Sequence, residues 1–161
     1  MKRIAVLSDT HIPIAAPDIP ERIYSELRRV DMILHAGDLI EIDVLEKLRS
    51  IAPTHAVHGN MDMYEVKMSL PKKDIITINS FKIGLIHGTG CAANIIENVA
   101  REFDDRIDVI VFGHSHCPCN EKIKKTLFFN PGSPTDKMFA LCNTFGLLEI
   151  EDGISSTIMR L

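Results

Sequence analysis

The sequence contains no tryptophan, only two tyrosines, and four cysteines that form no Cys-x-x-Cys pair. That cysteine content excludes a disulfide-dense secreted scaffold and predicts a reducing, cytoplasmic setting. The longest uncharged run, at 83–96, contains several glycines and is shorter than the roughly 18 to 20 apolar residues of a membrane-spanning helix. Ser8 and Asp9 end the first apolar run too early for a signal peptide. We therefore expect a cytoplasmic protein without a membrane segment.

Positive charge is also scarce. The chain has 18 lysines and arginines against 22 aspartates and glutamates, which gives a formal net charge of -4. The basic residues are scattered, with small clusters such as those at 72–73 and 122–125, which excludes a broad nucleic-acid surface. An anionic ligand would therefore need a source of positive charge other than the side chains.

Apolar residues are plentiful, at 45% of the 161 residues, which suits one compact domain over residues 1–161. Short apolar runs predict strands at 3–8, 32–35, 55–57, 74–78, 82–86 and 108–112. Amphipathic patterns predict helices between them, the first with capping-box spacing at Asp18 and Glu21. Further strands are predicted at 122–129, 144–150 and 154–160, joined by tight turns. The chain thus reads as a βαβ start followed by an antiparallel meander.

Histidine, aspartate and asparagine residues fall where the predicted strands end. Five different strands are each followed by at least one of them. The set is Asp9, His11, Asp38, Asn60, His87, His114 and His116. Because ligands bind at the carboxyl ends of strands in open α/β sheets, we expect these side chains to meet at one site.

The residue types in this set point to metal binding. Imidazole together with carboxylate suits Mn²⁺, Fe²⁺, Zn²⁺ or Ni²⁺ better than Mg²⁺ or Ca²⁺ alone. Taken singly, such an aspartate is more often a turn residue and such a histidine a core residue. Together they exceed the ligands of one open catalytic ion, whereas two ions sharing a carboxylate account for them. A dinuclear centre of this kind clamps a phosphoryl group and supplies hydroxide for in-line attack.

In order and spacing, these motifs resemble the calcineurin-like metallophosphoesterase superfamily, in its small single-domain phosphodiesterase branch. The motifs are Asp9-Thr10-His11, Gly37-Asp38, Gly59-Asn60, His87 and Gly113-His114-Ser115-His116, followed by Asn130-Pro131-Gly132-Ser133. The resemblance implies an α/β fold of two packed β-sheets flanked by helices on both outer sides. This is a four-layer α-β-β-α sandwich, formed here by a single domain.

The resemblance also implies a cofactor and an activity. The family pattern holds two divalent ions per chain; we expect Mn, with Ni, Fe or Zn as alternatives. It assigns Asp9, His11, Asp38 and His116 to the first ion and Asp38, Asn60, His87 and His114 to the second. Asp38 would bridge the two ions, and a bridging hydroxide would attack the phosphorus of a small phosphate-ester substrate. The expected enzyme is a metal-dependent phosphoesterase, and a phosphodiesterase in preference to a phosphomonoesterase.

The sequence departs from many members of that superfamily at one position. Many of its phosphatases carry a histidine directly after the Gly-Asn motif, which acts as a general acid or phosphate contact. Here that position is Met61, which does neither. Asp62 and His58 are the catalytic candidates for the missing acid, although a turn role for Asp62 and a packing role for His58 compete with it. A weak general acid favours esters with a good leaving group, such as activated phosphodiesters.

Two other interpretations stay open. The eukaryotic retromer small subunit is similar to this branch but serves chiefly as an interaction scaffold with substituted ligand positions, so a scaffold with a vestigial or regulatory metal site is the alternative function. The other interpretation is a closed zinc site, although Cys-x-Cys is a poor zinc spacing. It would use His114, His116, Cys117 and Cys119.

The oligomeric state is a separate question. A homo-oligomer is compatible with the aromatic residues Tyr64, Phe128, Phe129 and Phe139, which suit a core or an interface.

Overall fold

Two five-stranded β-sheets and four short helices make up the computed structural model, which describes residues 1–104 and 106–161. The strands are β1 (Lys2–Leu7), β2 (Met32–His35), β3 (Thr54–Ala56), β4 (Lys73–Ile78), β5 (Phe81–Ile86), β6 (Val109–Val111), β7 (Cys119–Ile123), β8 (Thr126–Asn130), β9 (Thr144–Ile150) and β10 (Ile154–Arg160). The helices are α1 (Glu21–Leu27), α2 (Ile42–Arg49), α3 (Tyr64–Ser69) and α4 (Ile95–Ala100), the last preceded by a 3₁₀ turn over Ala92–Asn94. The first sheet has the order β10-β9-β1-β2-β3 and the second β4-β5-β6-β8-β7. Within the described ranges, no helix has the length and apolarity to span a membrane.

Alternating residues of the buried strands separate the layers. In β1, Ile4 and Val6 pack into the cluster between the two sheets, whereas Ala5 and Leu7 pack against the helices on the outer face. This two-sided burial explains why β1 is a continuous apolar run and not an alternating one. The outer face of the first sheet is covered by α1 and α2. Helix α4 covers the outer face of the second sheet, so the predicted four-layer arrangement is confirmed.

The predicted carboxyl-terminal meander is confirmed only in its last hairpin, where the strands predicted at 144–150 and 154–160 coincide with the antiparallel pair β9 and β10. The part before that hairpin was predicted wrongly. The segment predicted as one strand at 122–129 contains a turn at Lys124, which has a φ of +56° and separates β7 from β8. Strand β8 pairs in parallel with β6, and the chain then crosses to the first sheet, where β9 lies antiparallel to β1. The connection over residues 131–143 makes this crossing, and the turn residues at its start do not distinguish it from a hairpin.

Two helical details also differ from the prediction. Asp18 does not cap α1, which begins after Pro20 without a side-chain cap. The Asp18 carboxylate instead accepts hydrogen bonds from the Tyr24 hydroxyl and the Lys47 ammonium. Helix α3 was not predicted, because its six residues bury only Val66 and show no helical period.

Candidate metal centre

All seven residues expected at the strand ends lie together at one edge of the sandwich. Strands β1, β2 and β3 of the first sheet and β5 and β6 of the second direct their carboxyl ends there. Backbone hydrogen bonds join the turns that follow these strands. Asp9 N–H donates to Gly37 O and Gly113 N–H donates to His87 O, each at 3.0 Å. The second of these bonds joins β5 and β6, while Asp9 links the β1 and β2 turns.

The backbone at this edge is unusual. Five of the seven residues have a φ between +44° and +67°, a left-handed conformation that costs a non-glycine residue about 1 to 3 kcal/mol. They are Asp9, His11, Asp38, His114 and His116. Left-handed residues reverse the chain directly after a strand, which turns each side chain back over the sheet edge. Clusters of such residues are typical of functional sites.

Two glycines allow the turns to approach one another. A Cβ atom at Gly59 would overlap Asp38 Oδ1, and one at Gly113 would overlap Ser8 Oγ. Any larger residue at either position would push a carboxylate-bearing turn away from its neighbour. The glycines next to Asn60 and His114 are therefore required by the close packing of the turns.

The Asp9 carboxylate lies at the middle of the site and is completely buried. Its Oδ2 accepts hydrogen bonds from the Ser8 hydroxyl and the His114 N–H, but its Oδ1 has no hydrogen-bond partner. Three imidazole Nε2 atoms surround that oxygen: His116 at 3.4 Å, His11 at 3.8 Å and His87 at 4.0 Å. An orphaned carboxylate oxygen ringed by imidazole nitrogens fits a cation between them.

The potential ligand atoms form two overlapping groups. Asp9, His11 and His116 form one, and Asp9, Asp38 and His87 form the other, with all ligand atoms of a group within 4.8 Å of one another. Asp9 thus belongs to both. Asp38 Oδ2 also lies between them, 3.7 Å from His11 Nε2 and 3.3 Å from His87 Nε2.

Asn60 and His114 extend the second group. The Asn60 side-chain oxygen lies 3.1 Å from His87 Nε2 and 3.0 Å from His114 Nδ1. On its other side, His114 Nε2 lies 3.0 Å from the Gly90 carbonyl, an acceptor that fixes the proton on Nε2 and leaves a lone pair on Nδ1. Amide oxygen and imidazole nitrogen would then face the same point, as two ligands of one ion do.

Hydrogen bonds behind the imidazoles fix their orientation. His87 Nδ1 donates to the Ala36 carbonyl at 2.7 Å, and His116 Nδ1 donates to Asp136 Oδ2 at 2.6 Å. Both bonds turn Nε2 toward the buried carboxylates. Sequence reasoning missed Asp136, which follows the Asn130-Pro131-Gly132-Ser133 motif and looked like an ordinary turn residue.

The charges of the site shift several pKa values. Burial raises the pKa of Asp9, but the neighbouring imidazoles of His11, His116 and His87 outweigh it, so the net shift is downward. Burial likewise opposes the lowered pKa of Asp38, which the hydrogen bond with His87 causes. The His87 pKa rises to about 9, because Asp38 and Asp9 outweigh the burial that would lower it. The nearby Asp9 carboxylate raises the His116 pKa to about 9, against burial and with help from Asp136.

Asp62 is placed to hold the turns. The side chain is buried, and its oxygens accept hydrogen bonds from the N–H groups of Asp38, Gly59 and Ile40. It lines none of the cavities described below. These three hydrogen bonds favour the turn role of Asp62 over the general-acid role, which stays a prediction.

His58 is half-buried and lines a small cavity of about 220 Å³ together with Asn60 and His87. Its Nδ1 lies 3.4 Å from the Gly59 carbonyl. A general-acid role for His58 stays a prediction.

The alternative zinc site does not assemble. His116 faces Asp9 and His114 faces Asn60, while Cys117 is exposed and Cys119 Sγ faces the Phe128 carbonyl at 3.9 Å. Burial, with the nearby charge of Glu121, raises the pKa of the Cys119 thiol to about 11. Across residues 1–104 and 106–161, neither potential metal group contains a cysteine. The cysteines are therefore not ligands of this centre.

The metal centre opens into a cleft of about 630 Å³. His11, Asp38, Asn60, His114 and His116 form its floor. Met61 lines one side of the cleft and is 52% exposed, so the position of the missing histidine does face the site.

Comparison with known proteins agrees with this geometry. The model of the calcineurin-like phosphoesterase superfamily domain matches residues 1–153. A probable metallophosphoesterase from Methanothermobacter thermautotrophicus is 39% identical over 133 residues, which cover 82% of this chain and 77% of that protein. A crystal structure of a Vps29 single mutant from Entamoeba histolytica has a TM-score of 0.79 at 26% identity and covers 99% of each chain. The structure of an archaeal phosphodiesterase has a TM-score of 0.76 at 22% identity, covering 98% of this chain and 99% of that one, a likeness of fold.

Proposed function

The chain belongs to the calcineurin-like phosphoesterase superfamily, and from this membership and its site geometry we propose that it is a dinuclear, metal-dependent phosphodiesterase. The observation that carries the proposal is the buried Asp9 Oδ1, which has no hydrogen bond and is ringed by three imidazole nitrogens. A purely structural cluster would leave that carboxylate oxygen unsatisfied at a cost of about 1 to 3 kcal/mol. Two divalent cations remove the penalty.

The protein ligands fall into two sets. Asp9, His11 and His116 would hold one ion, and Asn60, His87 and His114 the other, with Asp38 facing both. Two bound ions supply positive charge for an anionic ester and lower the pKa of coordinated water. We favour Mn²⁺ because imidazole, carboxylate and amide oxygen together suit it, with Ni²⁺, Fe²⁺ and Zn²⁺ as alternatives.

The chain itself has a weak supply of protons for a leaving group. Met61 occupies the cleft position from which a histidine would donate, and Asp62 is engaged with backbone N–H groups. A substrate whose leaving group departs without protonation therefore reacts best. Activated phosphodiesters meet this requirement, whereas alkyl phosphomonoesters need the proton.

A second candidate function is an interaction scaffold, which the likeness to Vps29 favours. The surface exposes large apolar side chains, including Tyr64 at 76% and Met68 at 69%, both on α3. A scaffold needs no turnover, so hydrolysis by the metal-loaded protein separates the two functions.

The test compares the Mn²⁺-loaded protein on bis(p-nitrophenyl) phosphate and on glycerol phosphate, before and after removal of the metal by a chelator. We expect metal-dependent hydrolysis that is faster on the diester. The Met61→His variant should raise glycerol phosphate hydrolysis more than diester hydrolysis, because it restores a proton donor at the cleft. Met63→His is the matched control, since Met63 is as exposed as Met61 but does not line the cleft.

Three results would contradict the proposal. Metal-loaded, folded protein that hydrolyses neither ester favours the scaffold. A wild-type preference for glycerol phosphate, or equal gains on both esters in Met61→His, shows that Met61 does not set the specificity.

A further inference from the structure

One wall of the cleft is formed by residues 137–139, which the proposed chemistry does not use. Met138 and Phe139 line the cleft yet are 80% and 69% exposed. Single exposed apolar side chains are normal on a protein surface, but these two are adjacent in the chain and line the same cleft, and contiguous exposed apolar surface marks ligand-binding grooves. The other apolar lining residues are Ile14, Ala15, Met61 and Ala92.

This wall is held rigidly against the metal centre. The Asp136 carboxylate accepts hydrogen bonds from the N–H groups of Met138 at 2.8 Å, Phe139 at 3.1 Å and Ala140 at 2.9 Å. The same carboxylate accepts the His116 Nδ1 hydrogen bond. The position of Phe139 is therefore fixed relative to the proposed ligand His116, which reduces the entropy lost when a ligand binds.

Phe139 also contacts that ligand directly. Its ring centroid lies 6.0 Å from the His116 ring centroid at an interplanar angle of 73°, an edge-to-face pair. The pair places an exposed aromatic side chain beside the imidazole whose Nε2 points to Asp9. A group esterified to a phosphate at the metal centre would thus start within reach of the Phe139 ring.

The charges of the cleft limit what that group is. Among the described residues that line it, Lys137 is the one lysine or arginine, and Asp136 lies next to it. A polyphosphate or an oligonucleotide would place further anionic groups along this wall, where the cations to match them are missing. An uncharged, flat and apolar substituent suits the wall better.

We propose, resting on the proposed function, that this cleft selects phosphate esters by a flat apolar substituent packed against Phe139, with Asp136 positioning both Phe139 and His116. The metal centre holds the phosphoryl group, and the apolar wall binds the organic substituent and selects for its shape and polarity. The substrate class is therefore a small monophosphate diester with at least one aryl-like substituent.

The test measures binding and needs no turnover. Phenylphosphonate and methylphosphonate carry the same anionic head and are not hydrolysed, so their dissociation constants for the Mn²⁺-loaded protein isolate the contribution of the ring. We expect phenylphosphonate to bind about tenfold more tightly in the wild type. The preference should disappear in Phe139→Ala and persist in part in Phe139→Leu, which keeps an apolar side chain.

Leu141→Ala is the matched control, because Leu141 lies two residues after Phe139 and is fully exposed but does not line the cleft. It should keep the wild-type preference. Equal affinity of the wild type for the two phosphonates, no binding of either, or an unchanged preference in Phe139→Ala would overturn the inference. A phenyl preference without ester hydrolysis would contradict the proposed function alone, and hydrolysis without the preference would contradict this inference alone.

Discussion

Asp136 lies behind the proposed metal ligand His116, and its carboxylate contacts both that ligand and the wall of the cleft. It accepts the Nδ1 hydrogen bond of His116 and three backbone N–H bonds of the following segment. Asn143 in turn donates to the Asp136 carbonyl at 2.6 Å, which ties the segment to the start of β9. Removing the negative charge would loosen the imidazole that faces Asp9.

We predict that Asp136→Asn lowers Mn²⁺ affinity or diester turnover about 10- to 100-fold, because the amide is a weaker partner for the imidazole. Equilibrium dialysis against Mn²⁺ and initial rates measure the two effects. Asp74→Asn is the matched control, since Asp74 pairs with His55 at 3.4 Å on the surface, away from the centre. Equal losses in both variants would show that Asp136 acts only on general stability.

The difference between the residues that sequence predicted and the one it missed has a physical basis. Asp9, Asp38 and His87 sit directly after apolar runs, so their place at a strand end is a local property of the chain. Asp136 reaches His116 only because the chain crosses between the sheets after β8. That contact depends on a long-range fold, which local spacing does not encode.

The turns after the strands carry the strain of the site. His114 has a φ of +67°, and its side chain makes the contacts with Asn60 and Gly90 described above. The backbone cost and the side-chain contribution are separable, because glycine adopts this conformation freely and alanine does not.

We predict that metal-free His114→Gly is more stable than metal-free His114→Ala by about 1 kcal/mol, since both lose the ring but only alanine keeps the strained Cβ. Denaturant unfolding measures the difference. At Asn98, on helix α4, the order should reverse, with the glycine variant about 1 kcal/mol less stable than the alanine variant. An alanine variant at 114 as stable as the glycine variant would mean that the turn relaxes.

The secondary-structure elements, like the site residues, fall into two groups: those that the local sequence predicts and those that depend on long-range contacts. Most predicted strands of the first two-thirds lie within one or two residues of the observed ones, because apolar runs mark buried strands. The pairing of β8 with β6 and of β9 with β1 was not predictable from turn residues alone. Helix α3 was not predicted, because it buries only Val66 and so lacks a helical pattern of apolar residues.

Taken as a whole, the chain is acidic, and two histidines of its site have raised pKa values. The pKa of His87 and that of His116 are both raised to about 9, for the reasons given above. Protonation of these histidines therefore stabilises the metal-free fold fully below the unfolded value near 6.5, and this contribution is lost as the pH rises through about 9. Metal ions need the neutral imidazoles and must displace these protons.

We predict that Mn²⁺ affinity falls as the pH drops below about 9, and that filling the centre at pH 7.5 releases about two protons per chain. Calorimetric titrations in two buffers of different ionisation enthalpy give the proton count. Repeating them at about pH 9, where more of both imidazoles is already neutral, should reduce the number of protons released. If the protein bound Mn²⁺ with the same affinity at pH 7 and at pH 9, the assignment of His87 and His116 as ligands would be contradicted.

The most direct test of the whole account is a stepwise addition of Mn²⁺ to the metal-free protein. Bound ions per chain and the rate of bis(p-nitrophenyl) phosphate hydrolysis are measured on the same samples. We predict that the rate stays low at one ion per chain and reaches its maximum at about two. Full activity at one ion, or none at two, would contradict a dinuclear phosphodiesterase.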